Sequence, residues 1–293
     1  MSRPFKSIEA QIVTLRERGM IVDDNASNIL LIEGYYSLVN GYKDFFIDRE
    51  KSQSTPHETY IAGTNLNDLH QLSNFDRELR RTAFFYISKA ESTCKTVLIY
   101  KFCQKFSDTD AYLSALNYAE QSEYMLGESR YEDDISTLLE ILKFNACDKK
   151  KANDAILHYR ENHKGVPLWV LGTSLTFGNV LHFYTLQKQS FQNEICKTLT
   201  EINCGNKLTS RNLRKYLDTL CCFRNLCAHG SRLFCERVGP KKNYSLNDVE
   251  KSLRFILPPY EVDQYILEVK GLVEKYSDSP RISATLKNVV GNC

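Results

Sequence analysis

Three polar side chains lie close together near the end of an otherwise apolar helical pattern. Arg224, Asn225 and His229 belong to the stretch FRNLCAHGSRLF, residues 223–234. Arginine presents a fork of N–H donors that matches phosphate oxygens, and histidine can carry a proton near neutral pH. Placed around a phosphodiester, with Asn225 orienting either side chain or the phosphate, they could move the proton of a ribose 2′-hydroxyl or of the leaving 5′-oxygen. The pattern therefore indicates metal-free RNA cleavage, while a capping histidine and an arginine paired with a carboxylate remain the structural alternative.

The element that must position these residues is a helix over residues 209–229. Thr209 or Ser210 can cap its N-terminus, and Gly230 provides a C-terminal stop. Arg224 and His229 are five residues apart, or about 140° around an ideal helix, so we expect them to flank a cleft rather than share a face. One apolar stripe runs along this predicted helix and consists of Leu213, Tyr216, Leu217, Leu220, Phe223 and Leu226.

Helical periodicity extends over most of the chain, and alternating strand patterns are nearly absent, so the predicted fold class is all-α. The acidic stretch 119–134 is the best candidate for a boundary. It would separate an N-terminal helical lobe, residues 1–120, from a C-terminal lobe, residues 121–293, although one continuous domain also fits the pattern. Further helices are predicted over residues 8–15, 26–39, 66–106, 130–146, 150–162, 167–188, 190–203, 246–256 and 260–276.

Composition excludes several classes of protein. The 293 residues are 42% hydrophobic, enough for a substantial core. No apolar run reaches the roughly 18 residues of a membrane span, and no secretory signal opens the chain, so we expect a cytoplasmic protein without membrane association. Ten cysteines show no framework spacing and are expected to be reduced thiols. Because they form no C-x-x-C pair, we expect no metal site and no cofactor.

Charge is distributed unevenly despite a net charge of +2. The basic segment, residues 207–242, holds nine basic residues against Asp218 and Glu236 and surrounds the Arg, Asn, His triplet. Residues 107–145 hold nine acidic residues against Arg130 and Lys143. A solvated helix face explains either segment, but the basic one is also placed to contact a phosphate backbone.

The stretch RNLCAHGSRLF resembles the catalytic signature of HEPN-domain ribonucleases, in the form found in Abi-like (AbiD/AbiF-type) abortive-infection proteins of bacteria. Three other stretches are similar to that family: LIEGYYSLVNGY at 31–42, FDRELRRTAFFYISKAE at 75–91 and VPLWVLGTSLTFGNV at 166–180. The resemblance covers about residues 5–260. It implies an all-α, HEPN-like helical bundle with additional N-terminal helices, RNA as substrate, and a role in growth arrest or phage defence.

By the same resemblance, Arg224, Asn225 and His229 take the catalytic places. One chain supplies one such histidine, whereas transesterification is best served by a separate base and acid, so we expect a homodimer. The two 209–229 helices would lie near its axis, because the apolar residues Leu220, Phe223 and Leu226 lie beside the motif. A toxin of this kind also implies an antitoxin partner, either a small structured RNA or another gene product.

Candidate RNA-binding residues lie in two stretches. The list comprises Arg211, Arg214, Lys215, Arg232, Arg77 and Arg80. Arg77 and Arg80 would share a helical face, and intramolecular pairing with Asp76 or Glu91 is an equally good account of them. The competing function is a non-catalytic RNA-binding or protein-interaction module, which would need positive charge but no histidine.

Overall fold

The computed structural model describes residues 4–148, 153–278 and 280–290. The prediction of an all-α fold is confirmed, because the described residues form helices and isolated bridges but no β-strand. The helices are α1 (Ile8–Glu17), α2 (Ala26–Glu33), α3 (Arg49–Gln53), α4 (Leu66–Lys105), α5 (Glu128–Cys147), α6 (Asp154–Asn162), α7 (Leu168–Leu171), α8 (Phe177–Thr185), α9 (Gln189–Ile202), α10 (Ser210–Ala228), α11 (Leu246–Ile256), α12 (Pro259–Lys275) and α13 (Pro280–Val290).

Two helices that the sequence predicts as continuous are interrupted in the structure. The helix expected over 26–39 ends as α2 at Glu33, because Gly34 adopts a φ of 74°, and a short π-helical turn follows. The helix expected over 167–188 is divided into α7 and α8, and a capping box between Thr176 and Asn179 begins the second helix. Helix α13 was not predicted, and the start of the predicted 150–162 helix lies partly outside the described residues.

The chain forms two compact units that are discontinuous in sequence. The first unit comprises residues 1–82, 230–235 and 267–293, and the second unit comprises residues 83–229 and 236–266. Helices α4 and α12 contribute residues to both. A division into lobes 1–120 and 121–293 stays a prediction.

Helix α10 is a central element of the second unit. Its N-cap is Thr209, whose hydroxyl accepts a hydrogen bond from the amide of Asn212 at 3.2 Å, as the sequence predicts. Its apolar stripe packs against α8, α9 and α11. Burial of this stripe from water fixes the helix and hence the direction in which its C-terminal end points.

No helix among the described residues combines the length and apolarity that crossing a bilayer requires.

Candidate functional site

The Arg, Asn, His triplet lies at the C-terminal end of α10. His229 is the C-cap rather than a residue of the last helical turn, since the helix ends at Ala228. Its backbone amide donates to the carbonyl of Asn225 at 3.1 Å, and Gly230 follows with a φ of 69° that ends the helix. The side chains of both Asn225 and His229 are exposed. The helix end therefore presents an amide and an imidazole to solvent.

Arg224 is held by its neighbours rather than extended into solvent. Its Nε atom lies 3.7 Å from Oε2 of Glu91, and its guanidinium carbon lies 6.0 Å from the ring centre of Phe84. The Nε atom is buried and the carboxylate is beyond normal hydrogen-bond distance, so the pair is held mainly by charge. A third of the Arg224 side chain remains exposed. This is the ion pair that the structural alternative predicts, and it also fixes the orientation of the guanidinium.

Glu91 is shared between two cations. Its Oε1 atom lies 3.7 Å from Nζ of Lys95, one helical turn further along α4. Lys95 also donates to the carbonyl of Leu175 at 2.6 Å. The carboxylate therefore connects Arg224 to the second half of α4, and two positive charges face one negative charge.

The apolar residues beside the motif do not form an exposed face. Leu220 and Phe223 are fully buried within the second unit, and Leu226 is half-buried. The core already covers Leu220 and Phe223, so neither offers free apolar surface to a dimer contact. The homodimer itself stays a prediction.

The basic residues at the start of α10 differ in exposure. Arg211 and Lys215, four residues apart on one helical face, are exposed. Arg214 is half-buried, and its Nε atom is buried without a hydrogen-bond partner. The first two are thus accessible to a phosphate backbone, whereas Arg214 is partly enclosed by the protein.

A buried carboxylate in the first unit anchors the segment that follows His229 in sequence. Oδ1 of Asp76 accepts hydrogen bonds from the amides of Leu233 at 3.0 Å and Phe234 at 2.9 Å. Oδ2 accepts from the Tyr42 hydroxyl at 3.0 Å and from the Arg80 guanidinium. Burial raises the pKa of the Asp76 carboxyl, and these donors oppose the rise. Asp76 therefore joins α4, residues near 42 and residues 233–234.

The other arginines of this cluster also have protein partners. Arg77 pairs with Glu33 and donates to Asn74 at 3.2 Å, while half of its side chain stays exposed. Arg80 pairs with Asp76 and donates to the carbonyl of Ser231 at 3.1 Å. Intramolecular pairing is thus observed for both, with Asp76 as an expected partner and Glu33 as an unexpected one.

These arginines line a polar cleft of about 460 Å³ within the first unit. Arg232 also lines the cleft, and its guanidinium donates to the carbonyl of Gly41. Three of the lining side chains are cationic and one, Glu33, is anionic. RNA binding by Arg77, Arg80 and Arg232 stays a prediction, and this cleft is where an anionic group would meet them.

Sequence patterns did not identify the roles of Asp76 and Glu91. Asp76 adjoins the apolar stripe of α4, and this position in the sequence indicates burial. The backbone amides that donate hydrogen bonds to it, however, lie more than 150 residues further along the chain. Glu91 was considered as a partner for Arg77 or Arg80, whereas it pairs with Arg224 and Lys95. Among the described residues, no group of three or more histidine, cysteine or carboxylate side chains is arranged to hold a metal ion.

A family model described as Abi-like protein matches residues 28–235, which is most of the chain. The chain belongs to the Abi-like protein family. The matched range contains all four sequence stretches on which the resemblance was based. Membership supports a role of this Abi-like protein in abortive infection, a form of phage defence. No curated protein and no solved structure matches the sequence.

Proposed function

We propose that this Abi-like protein is an endoribonuclease that cleaves RNA by metal-independent transesterification, with Arg224, Asn225 and His229 as its catalytic residues. The observation that supports this proposal is the end of α10, where the Asn225 and His229 side chains are exposed and the Arg224 guanidinium, held by Glu91, lies 3.5 Å from Oδ1 of Asn225. The HEPN-like character of the helical fold is part of the same proposal.

The proposed reaction uses the RNA's own 2′-hydroxyl as nucleophile. A base removes its proton, the 2′-oxygen attacks phosphorus, and the bond from phosphorus to the 5′-oxygen breaks as an acid protonates that oxygen. The products are a 2′,3′-cyclic phosphate and a 5′-hydroxyl. Arg224 would bind the non-bridging oxygens, whose negative charge grows in the transition state, and Asn225 would orient the phosphate.

His229 can serve as the base or the acid, but not as both at once. A homodimer with the two α10 ends facing each other would supply the second imidazole from the partner. This arrangement accounts for an active site that needs two proton carriers although each chain provides one histidine of this kind. An unrestrained ribonuclease would damage its own cell, so an antitoxin RNA or protein belongs to the same proposal.

A second candidate function is a non-catalytic RNA-binding or protein-interaction module in phage defence. The observation that favours it is the pairing of Arg224 with Glu91 and of Arg80 with Asp76, since these contacts give both arginines structural roles. This function has no need of His229. Substituting that histidine therefore discriminates between the two.

The deciding experiment maps the ends of RNA fragments produced by the wild-type protein and by His229→Ala. We expect wild-type fragments with 2′,3′-cyclic phosphates and 5′-hydroxyls in the presence of EDTA, and at least about a hundredfold less cleavage with His229→Ala, because proton transfer contributes that much. His57→Ala is the matched control, since His57 is an exposed histidine of the first unit. Fragments with 5′-phosphates, or equal cleavage by both variants, would refute the proposed mechanism.

A further inference from the structure

The second unit contains a mainly apolar cleft of about 520 Å³ that the proposed chemistry does not use. It lies between the second half of α4 and the segment around α7. Its volume falls within the range of roughly 300–1,000 Å³ that is typical of small-molecule sites. The lining residues central to the argument are Lys95, Ile99, Tyr100, Trp169 and Gly172.

Two large aromatic side chains of this cleft are exposed. Trp169 is 57% exposed and Tyr100 is 63% exposed. The neighbours of Trp169 in α7, Leu168 and Val170, are buried and supply the apolar contacts that hold α7 in place. More than half of the Trp169 surface is therefore left open to solvent. Exposed aromatic surface in a cleft is typical of a binding site.

The walls of the cleft are held in fixed positions. A Cβ atom on Gly172 would lie 2.3 Å from Cδ1 of Ile99, so a larger residue at this position would displace the Ile99 side chain that lines the cleft. The hydrogen bond from Lys95 to the Leu175 carbonyl joins α4 to the segment around α7. A ligand would thus meet a preformed cleft, which lowers the entropic cost of binding.

Charge around the cleft favours an anionic ligand. The residues that line the cleft include Lys95 and no acidic residue, and Nζ of Lys101 lies 5.9 Å from the ring centre of Tyr100. Residues 163–176, which carry Trp169, include Lys164 and no acidic residue. Glu91 pairs with Lys95 but is shared with Arg224, so two cations face one carboxylate. Aromatic faces beside lysines are a pattern by which proteins bind single-stranded nucleic acid, since bases stack on the rings and phosphates meet the cations.

Two ion pairs link a lining residue of the cleft to Arg224. Lys95 pairs with Glu91, and Glu91 pairs with Arg224. Nine residues of α4 separate Glu91 from Tyr100, or about 14 Å along the helix axis. A base in the cleft would therefore belong to a nucleotide that flanks the one at Arg224.

We propose that this cleft is a nucleobase subsite for single-stranded RNA, in which a base flanking the scissile phosphate stacks on Trp169 or Tyr100. The inference rests on the proposed function for the identity of the substrate. Such a subsite would give the protein a base preference at a position away from the cleaved bond, because its aromatic walls would contact the base.

The sequence contains one tryptophan, so intrinsic tryptophan fluorescence reports on this cleft alone. The probe is a short single-stranded RNA with 2′-O-methyl groups, which cannot be cleaved. We expect it to quench Trp169 emission in a saturable manner, in the wild-type protein and in His229→Ala. An abasic chain of the same length should leave the emission unchanged. RNA that binds by anisotropy but leaves the emission unchanged would overturn the proposal, as would equal quenching by the abasic chain.

Variants provide a second measurement. Trp169→Ala or Tyr100→Ala, whichever removes the stacking ring, should weaken binding of the same RNA about tenfold, the effect of losing one stacked base. Tyr260→Ala is the matched control, since Tyr260 is a 70% exposed aromatic residue of the second unit outside this cleft. Equal RNA affinity in Trp169→Ala, Tyr100→Ala and Tyr260→Ala would overturn the subsite. Tryptophan emission that changes with protein concentration but not with added RNA would also overturn it, because a second copy of the chain would then cover the cleft.

These outcomes separate the subsite from the ribonuclease mechanism. Quenching without any cleavage of unmodified RNA would refute the catalytic proposal and leave the base-binding cleft standing. Cleavage with the expected ends, but with unchanged fluorescence, would refute the cleft and leave the catalytic proposal standing.

Discussion

At the scale of single residues, Glu91 determines how Arg224 is presented. The carboxylate lies within 4 Å of two cations, at 3.7 Å from both Arg224 Nε and Lys95 Nζ. The ring of Phe84, 6.0 Å from the guanidinium carbon, also restricts the movement of the Arg224 side chain. An arginine held in this way loses little side-chain conformational entropy when it binds a phosphate. Preorganisation of this kind accelerates a reaction.

Glu91→Gln should lower kcat for RNA cleavage by about tenfold to a hundredfold, because a guanidinium that is displaced by about 1 Å loses much of its effect on the transition state. RNA affinity should not weaken, since the substitution removes a negative charge beside the substrate. Steady-state kinetics on a labelled RNA measures both quantities. This separate response of kcat and KM identifies a positioning residue.

The control for Glu91 is Glu250→Gln, which breaks another ion pair between a glutamate and an arginine in the second unit, with Arg254 on α11. Its kcat should equal that of the wild type. A Glu91→Gln enzyme with unchanged kcat would show that Arg224 does not need the carboxylate for its orientation.

At the scale of elements, the segment 230–235 is fixed by a side chain of α4. Two amides of the segment donate to Asp76, and the ring of Phe234 packs 6.2 Å from that of Phe75 and 5.1 Å from that of Phe45. The buried carboxylate thus satisfies backbone donors that would otherwise be buried without partners. The anchor therefore holds the segment within the first unit.

Asp76→Ala should lower the free energy of unfolding by about 3–5 kcal/mol, because the change removes the carboxylate partner of Arg80 and leaves two buried backbone amides without their acceptor. Urea denaturation monitored by circular dichroism measures the loss. Asp44→Ala, at an exposed aspartate of the same unit, is the control and should change stability by less than about 0.5 kcal/mol. A loss below about 1 kcal/mol for Asp76→Ala would contradict the anchoring role.

At the scale of the whole molecule, a net charge of +2 conceals two oppositely charged segments. The basic segment carries the proposed catalytic triplet, and its Arg211 and Lys215 side chains are exposed. Such a distribution favours local attraction of a polyanion over non-specific binding by the entire surface. The affinity for RNA should therefore depend on few residues.

Replacing Arg211 and Lys215 together with glutamine should weaken RNA binding and reduce its salt dependence. If each contacts one phosphate, the slope of log K against log salt should become less negative by about 1.4, since each contact on a single strand contributes about 0.7. Fluorescence anisotropy across a salt series measures the slope. The double variant Lys251→Gln and Lys270→Gln removes two exposed charges outside the basic segment and should retain the wild-type slope. Equal slopes for both double variants would contradict the assignment.

The sequence by itself determined the fold class and most helices. Helix α11 has the bounds that the periodicity predicted, because a capping box of Ser245 and Asp248 begins it and Pro258 with Pro259 follows its end. Helix α4 continues for 40 residues because no glycine or proline interrupts it. Where local signals competed, at Gly34 and between α7 and α8, prediction from periodicity failed. The triplet and its placement at the end of α10 were also visible in sequence, and so was the family.

Only the tertiary structure decided the partners of the charged residues. Glu91 and Arg224 are 133 positions apart, and no periodic pattern identifies their contact. The same holds for Asp76 and the amides of residues 233–234, and for the approach of Gly172 to Ile99 that forms the aromatic cleft. Capping and periodicity depend on residues within one or two helical turns, which a sequence displays directly. Ion pairs and clefts depend on which helix faces pack together, and packing is set by the shape and burial of the core as a whole.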